Sequence, residues 1–165
     1  MARTLRIATR GSQLALWQAH HVQKLFADLA PNHVVELVTV VSAGDADRSR
    51  PLHEIGGVGI FTKEVQEAIL DGRADLAVHS LKDLPTVAHA DLVLAAVPER
   101  GRVEDVLLSP KHGTLANLPV GARVATSSLR RQAQLLRHRP DLRIESIRGN
   151  VETRIRKLHD EQLDG

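Results

Sequence analysis

The stretch "LRIATRGSQLALWQA" (5–19) is echoed by "ARVATSSLRRQAQLL" (122–136). Each starts as an apolar strand, passes through Ala-Thr and a polar turn containing serine, and becomes a helix. A strand that feeds a helix returns as a parallel neighbour, so this unit points to α/β architecture with mixed, largely parallel sheets. A short echo can also arise by coincidence. If it is real, it implies two similar α/β domains facing each other across a cleft, a place where small anions bind at strand ends and helix N-termini.

The rest of the chain follows the same alternation. Strands are expected at 5–9, 34–41, 74–80 and 91–98, then again at the second copy of the unit and at 142–148. Helices are expected over about 13–29, from Lys63 to Gly72 and over 151–163, with Ser12, Thr62 and Asn150 as N-caps. The segment 99–105 reads as a crossing, so the domains are placed at 1–98 and 99–165. A last helix closing in Asp164-Gly165 would ordinarily feed another strand. The second domain therefore reads as cut before its sheet is complete.

Composition excludes several classes. The chain has no cysteine, hence no disulfide framework and no thiolate chemistry. Aromatic residues make up only 2%, which leaves no stacking platform for nucleic acid. No apolar run reaches membrane-spanning length and no secretory leader is visible, so a soluble, cytoplasmic protein is expected. Charge is uneven. Residues 1–98 hold 9 Lys/Arg against 11 Asp/Glu, whereas residues 121–157 hold 10 against 3. That basic half calls for an anionic partner, with small polycarboxylates or phosphates as candidates.

Candidate sites lie at the strand ends. In "ATSSLRRQ" (125–132), Ser127 or Ser128 caps a helix whose first turn holds Arg130 and Arg131. Cations oppose the helix dipole there, and a bound anion would reverse the argument. Two solvated arginines remain an equal alternative. "SIRGNVETRIRK" (146–157) places Arg148 at a strand end and Arg154 one turn into the next helix, and "ATRGS" supplies Arg10. Ordinary turns with salt-bridged arginines would also explain these. "IGGVGIFTK" (55–63) lacks the lysine of a P-loop and reads as a flexible connector or a mobile cover. The adjacent His20 and His21 point to different faces, and no metal-ligand spacing occurs. In "AVHSLKDLP" (77–85), a strand ends in His79, Lys82 and Asp83. Lys82 could hold an anion and Asp83 could stabilise a cation or move protons. A surface Lys–Asp turn is the plainer alternative.

Taken together, "LRIATRGSQLALWQA", "GGVGIFTKE", "RADLAVHSLKDLP", "VATSSLRRQAQLL" and "RPDLRIESIRGNVETR" closely resemble the porphobilinogen deaminase (hydroxymethylbilane synthase) family, in order and spacing. The resemblance implies two domains like type II periplasmic binding proteins. It also implies a transferase of tetrapyrrole biosynthesis that condenses four porphobilinogen molecules into hydroxymethylbilane with release of ammonia. It assigns Arg10, Ser12, Lys82, Ser127, Ser128, Arg130, Arg131, Arg148 and Arg154 to substrate and dipyrromethane cofactor binding. Asp83 is the catalytic aspartate by the same resemblance, stabilising the electron-poor azafulvene left when ammonia departs. Porphobilinogen and its polycarboxylate pyrrole chain are the implied partners, with no nucleic acid, no membrane and a monomeric state expected.

Two departures stand out. Val58 lies between the glycines where many relatives carry lysine. The family also anchors its cofactor through a thioether to a cysteine in a third domain, and this chain has neither. The expectation is an inactive N-terminal portion, with a separate C-terminal fragment as a further partner. The competing class is a non-catalytic anion-binding module of periplasmic-binding-protein type.

Overall fold

The computed structural model describes residues 3–42 and 61–165. The glycines of the glycine-rich segment and Val58 lie outside them. The chain forms two compact units, Met1–Val97 and Pro98–Gly165, each with its own core.

In the first unit, β1 (Arg3–Arg10) leads through Ser12 into α1 (Gln13–Leu29), and the chain returns as β2 (His33–Val40). β1 and β2 pair in parallel from Arg3↔His33 to Arg10↔Val40. The link between them is a helix because parallel neighbours cannot be joined by a hairpin. The Ser12 hydroxyl accepts from the Ala15 amide at 3.3 Å and satisfies one of the orphan donors of the first turn. Ala15 and Ala19, one turn apart, form the buried stripe of α1. The fully buried Thr9 hydroxyl donates to the Ala15 carbonyl at 3.2 Å, fixing the turn from inside.

α2 (Lys63–Leu70) buries Val65 and Ala68 against Ala8, Val40 and Ala74. Gly72, at φ 77°, lets the chain turn after it. Thr62 occupies the N-cap position without capping through its side chain, so the expected cap is not made. β3 is only Leu76–Ala77, shorter than the expected 74–80. It lies parallel to β1 on the side away from β2, and hydrogen bonds from the Asp75 amide to the Arg6 carbonyl and from the Val78 amide to the Ala8 carbonyl extend the contact.

The expected strand at 91–98 is not formed among the described residues. Val93, Leu94 and Val97 are exposed, and no ladder partner lies beside them. Apolar, β-branched composition makes a strand only when a neighbour takes up its backbone donors and acceptors.

The second unit opens without regular structure and reaches a 3₁₀ turn at Leu115–Asn117. β4 (Arg123–Ala125) pairs in parallel with β5 (Arg143–Glu145). Between them runs α3 (Leu129–His138), capped by the Ser128 hydroxyl, which accepts from the Arg131 amide at 3.4 Å. α4 (Val151–Asp160) follows β5. Asn150 stands at its N-cap position, but its side chain accepts from the Thr153 hydroxyl at 3.4 Å instead of capping. Leu118, Ala122, Val124 and Leu142 form one core cluster, and Ile147, Leu158 and Leu163 another. The last two residues run beside β4, with the Asp164 amide on the Arg123 carbonyl and the Ala125 amide on the Gly165 carbonyl.

Arg139 holds this unit together at the end of α3. It forks onto Asp141 and donates to the carbonyls of Leu115, Leu118 and Pro119. One side chain thereby closes carbonyls that the 3₁₀ turn leaves open.

The β5–α4 turn depends on Gly149, whose φ is 119°. A Cβ there would stand 2.6 Å from Thr153 Cγ2. Gly149→Ala is expected to cost about 1–3 kcal/mol, because both the backbone conformation and the contact exclude a side chain. Gly101→Ala, where a Cβ meets nothing within 4 Å, is expected to change stability by less than about 0.5 kcal/mol. Urea unfolding of both variants checks the contrast, and equal midpoints would refute it.

Candidate anion sites at the strand ends

Parallel pairing delivers β1 and β3 to the same sheet edge. Arg10 ends β1, and its guanidinium carbon lies 4.2 Å from the centroid of the Phe61 ring, a cation–π contact. Beyond β3, Ser80 leads into a 3₁₀ turn, Leu81–Asp83. The turn is closed by the Asp83 amide on the Ser80 carbonyl at 2.9 Å. Ser80 is itself tied to α1 by Gln18 Nε2, which donates to its hydroxyl at 2.9 Å. Pro85 stops any continuation. The turn exposes Lys82 and leaves Asp83 half-buried.

His79 lies just before this turn. Its Nε2 is buried with no hydrogen-bond partner among the described residues. Burial disfavours the imidazolium and pushes its pKa down, Asp83 pulls the other way, and Arg10 adds to the depression. His79, Asp83 and Arg10 therefore share one electrostatic neighbourhood.

In the second unit, β4 and β5 bring Ser127, Ser128 and Arg148 to one edge. The Ser127 hydroxyl donates to the Ile147 carbonyl and accepts from the Ile147 amide, so it laces the two strand ends together. Ser128 caps α3. Arg130 and Arg131 lie in its first turn, and both engage Asp105. Arg130 donates at 2.8 and 3.3 Å, and Arg131 Nη2 at 2.8 Å. These bonds hold the Asp105 carboxyl far below the usual carboxylate range. Asp105 went unnoticed in the sequence, where "RVED" read only as part of a crossing.

The pairing is incomplete. Arg131 Nε and Arg148 Nη1 are buried without an acceptor among the described residues. Arg154 donates Nε to the Gly149 carbonyl at 2.7 Å. Burial, and then the charges of Arg131 and Arg148, push its pKa down. Three guanidiniums thus stand close enough to repel, and two of them keep a buried donor with no acceptor among the described residues. Such an arrangement is costly unless an anion completes it.

A family model described as "Porphobilinogen deaminase, dipyromethane cofactor binding domain" matches residues 5–165. The chain belongs to the porphobilinogen deaminase family. A porphobilinogen deaminase from Nitratidesulfovibrio vulgaris (strain Miyazaki F) is 55% identical over 160 residues, covering 97% of this chain and 50% of the relative. That of Syntrophotalea carbinolica is 52% identical over 161 residues, covering 98% and 51%. That of Syntrophomonas wolfei is 53% identical over 163 residues, covering 99% and 53%. The chain spans about half the length of the curated relatives it matches.

Among the described residues, no group of three His, Cys, Asp or Glu is placed to hold a metal ion, and no helix is long and apolar enough to cross a membrane.

The His79 environment fixes a sign. Its folded pKa lies below the ordinary 6.5, so the unfolded chain binds the proton first. Its contribution to stability is present above the unfolded value and is lost as pH falls through the folded one. The His79 ring protons are expected to titrate with a midpoint below 6.5. An NMR midpoint at or above that value would remove the desolvated reading.

Proposed function

We propose that this chain carries a substrate- and cofactor-holding part of a porphobilinogen deaminase. The complete enzyme would be a transferase of tetrapyrrole biosynthesis, joining four porphobilinogen molecules head to tail into hydroxymethylbilane and releasing four ammonia molecules. The observation that carries this reading is the set of buried, acceptor-less donors on Arg131 and Arg148 beside the desolvated Arg154. Each porphobilinogen brings two carboxylates, and a growing chain accumulates them. Arginine suits the task because its planar fork meets a carboxylate with two parallel hydrogen bonds.

The same test supports the dipyrromethane group named for the family. It is a polycarboxylate, and orphaned guanidinium donors fit carboxylates. Arg131, Arg148 and Arg154 would hold it, with Arg130 and the Ser127–Ser128 edge beside them. When bound, that group supplies the pyrrole end onto which substrate is added. In the first unit, Arg10 and Lys82 are assigned to carboxylates. Ser12 serves them through the turn it caps.

Asp83 takes the cationic side of the chemistry. Loss of ammonia leaves positive charge on the substrate pyrrole, and a fixed carboxylate beside its N–H stabilises that charge. A half-buried carboxylate does this better than a solvated one, since water screens it less. Each unit is further read as a type II periplasmic-binding-protein-like domain, a reading supported by the matching strand–turn–helix starts at Arg3 and Arg123. A simple anion-binding module would account for the arginines but leaves Asp83 without a purpose.

Asp83 is testable in a hybrid that joins this chain to the remaining half of its N. vulgaris relative. Asp83→Asn is expected to lower the single-turnover rate by roughly 10²–10³ with an unchanged melting temperature. Asp83→Glu should retain more activity. If Asn and Glu variants turn over alike, the charge is not what matters.

The 165-residue chain alone should behave differently. It contains no cysteine, so it has no thiol through which to tether the cofactor. It is expected to bind porphobilinogen without sustained production of hydroxymethylbilane, assayed as uroporphyrin after acid oxidation. Continued turnover would overturn the assignment of the tether.

A further inference from the structure

Arg130 and Arg131 are adjacent on α3, and neighbouring helical residues point about 100° apart. Their guanidiniums nevertheless meet on one carboxylate. That carboxylate, Asp105, comes from the irregular segment that opens the second unit, 25 residues before Arg130. It takes two N–H groups of Arg130 and one terminal N–H of Arg131. A guanidinium is planar and rigid, so fixing Nη2 of Arg131 also fixes the direction of Nε. Nε is a buried donor that no group among the described residues accepts.

We infer that Asp105 is a positioning residue: it gathers Arg130 and Arg131 so that the remaining donors of the cluster face an incoming carboxylate. The inference rests on the anion-binding reading proposed above, but not on which polycarboxylate is bound. It differs in sign from the obvious alternative. Asp105 could be only a counter-charge that relieves repulsion among Arg130, Arg131, Arg148 and Arg154. Its removal would then raise the local positive charge and tighten anion binding. If Asp105 positions the donors, its removal weakens binding although the site becomes more positive.

Isothermal titration of the whole chain with benzene-1,2,4,5-tetracarboxylate, and separately with porphobilinogen, distinguishes these. Asp105→Asn is expected to bind the tetracarboxylate about tenfold more weakly, the scale of one charge-assisted hydrogen bond. Asp105→Glu should fall between Asn and wild type, because it keeps the charge but displaces it by a methylene. Asp105 is exposed, so both variants should melt as the wild type does. If the Asn variant fails to fold, the Glu variant decides: weaker binding supports positioning and unchanged binding overturns it. An Asn variant that binds equally or more tightly also overturns it. So does a wild-type chain that binds neither compound, since there would be no anion for the cluster to receive. Binding of the tetracarboxylate without porphobilinogen would sink the pyrrole reading and leave Asp105 to be judged on the tetracarboxylate series.

Discussion

Parallel strand pairing is the constraint on which the rest of this structure depends. A parallel ladder sends every strand end of a sheet to the same edge, and the helix that must follow each strand begins there. In the first unit this puts Arg10 and the His79–Asp83 turn on one edge. In the second it does the same for Ser127, Ser128 and Arg148. Within each unit, the side chains to which chemistry is assigned above come from turns far apart in sequence. Their meeting is a consequence of topology before any contact between them is considered.

Within that frame, serine and arginine divide the work. Ser12 and Ser128 accept amide protons at helix starts, which makes the turns short and well defined. Ser127 closes the β4–β5 edge by bonding both the amide and the carbonyl of Ile147. The arginines then project from a rigid base. Rigidity matters because a flexible arginine loses rotamer entropy whenever it captures an anion, and that loss offsets much of the hydrogen-bond energy.

Much of this was legible in the sequence, for local reasons. The bounds of α1 and the Ser12 cap follow from an apolar repeat and a serine placed just before it. The second strand–turn–helix was readable from its likeness to the first. What escaped depended on contacts distant in sequence. The apolar run at 91–98 has strand composition but no neighbour, and only a neighbour makes it a strand. Thr62 and Asn150 are good capping residues that stand at the right positions, yet Thr62 makes no cap and Asn150 bonds Thr153. Asp105 carried no signal at all, because nothing in "RVED" says which of two acids will reach a helix that starts more than twenty residues later.

The arginine cluster also explains why a basic half can remain folded. The residues 121–157 carry a large excess of positive charge, and part of it is met by local pairing. Arg139 is paired with Asp141 and Arg123 with Glu145. Both pairs lie on the structural side of the unit, where they also bond backbone carbonyls. Arg130 and Arg131 share Asp105, which is one carboxylate for two cations. Arg148 and Arg154 make no salt bridge among the described residues. What sets Arg131 and Arg148 apart is that each keeps a buried donor with no acceptor among the described residues. A surface arginine that merely served solubility would leave its spare donors to water, at little cost. Buried donors left unmet at the ends of β4 and β5 carry a desolvation cost that a polycarboxylate, by accepting from them, would remove.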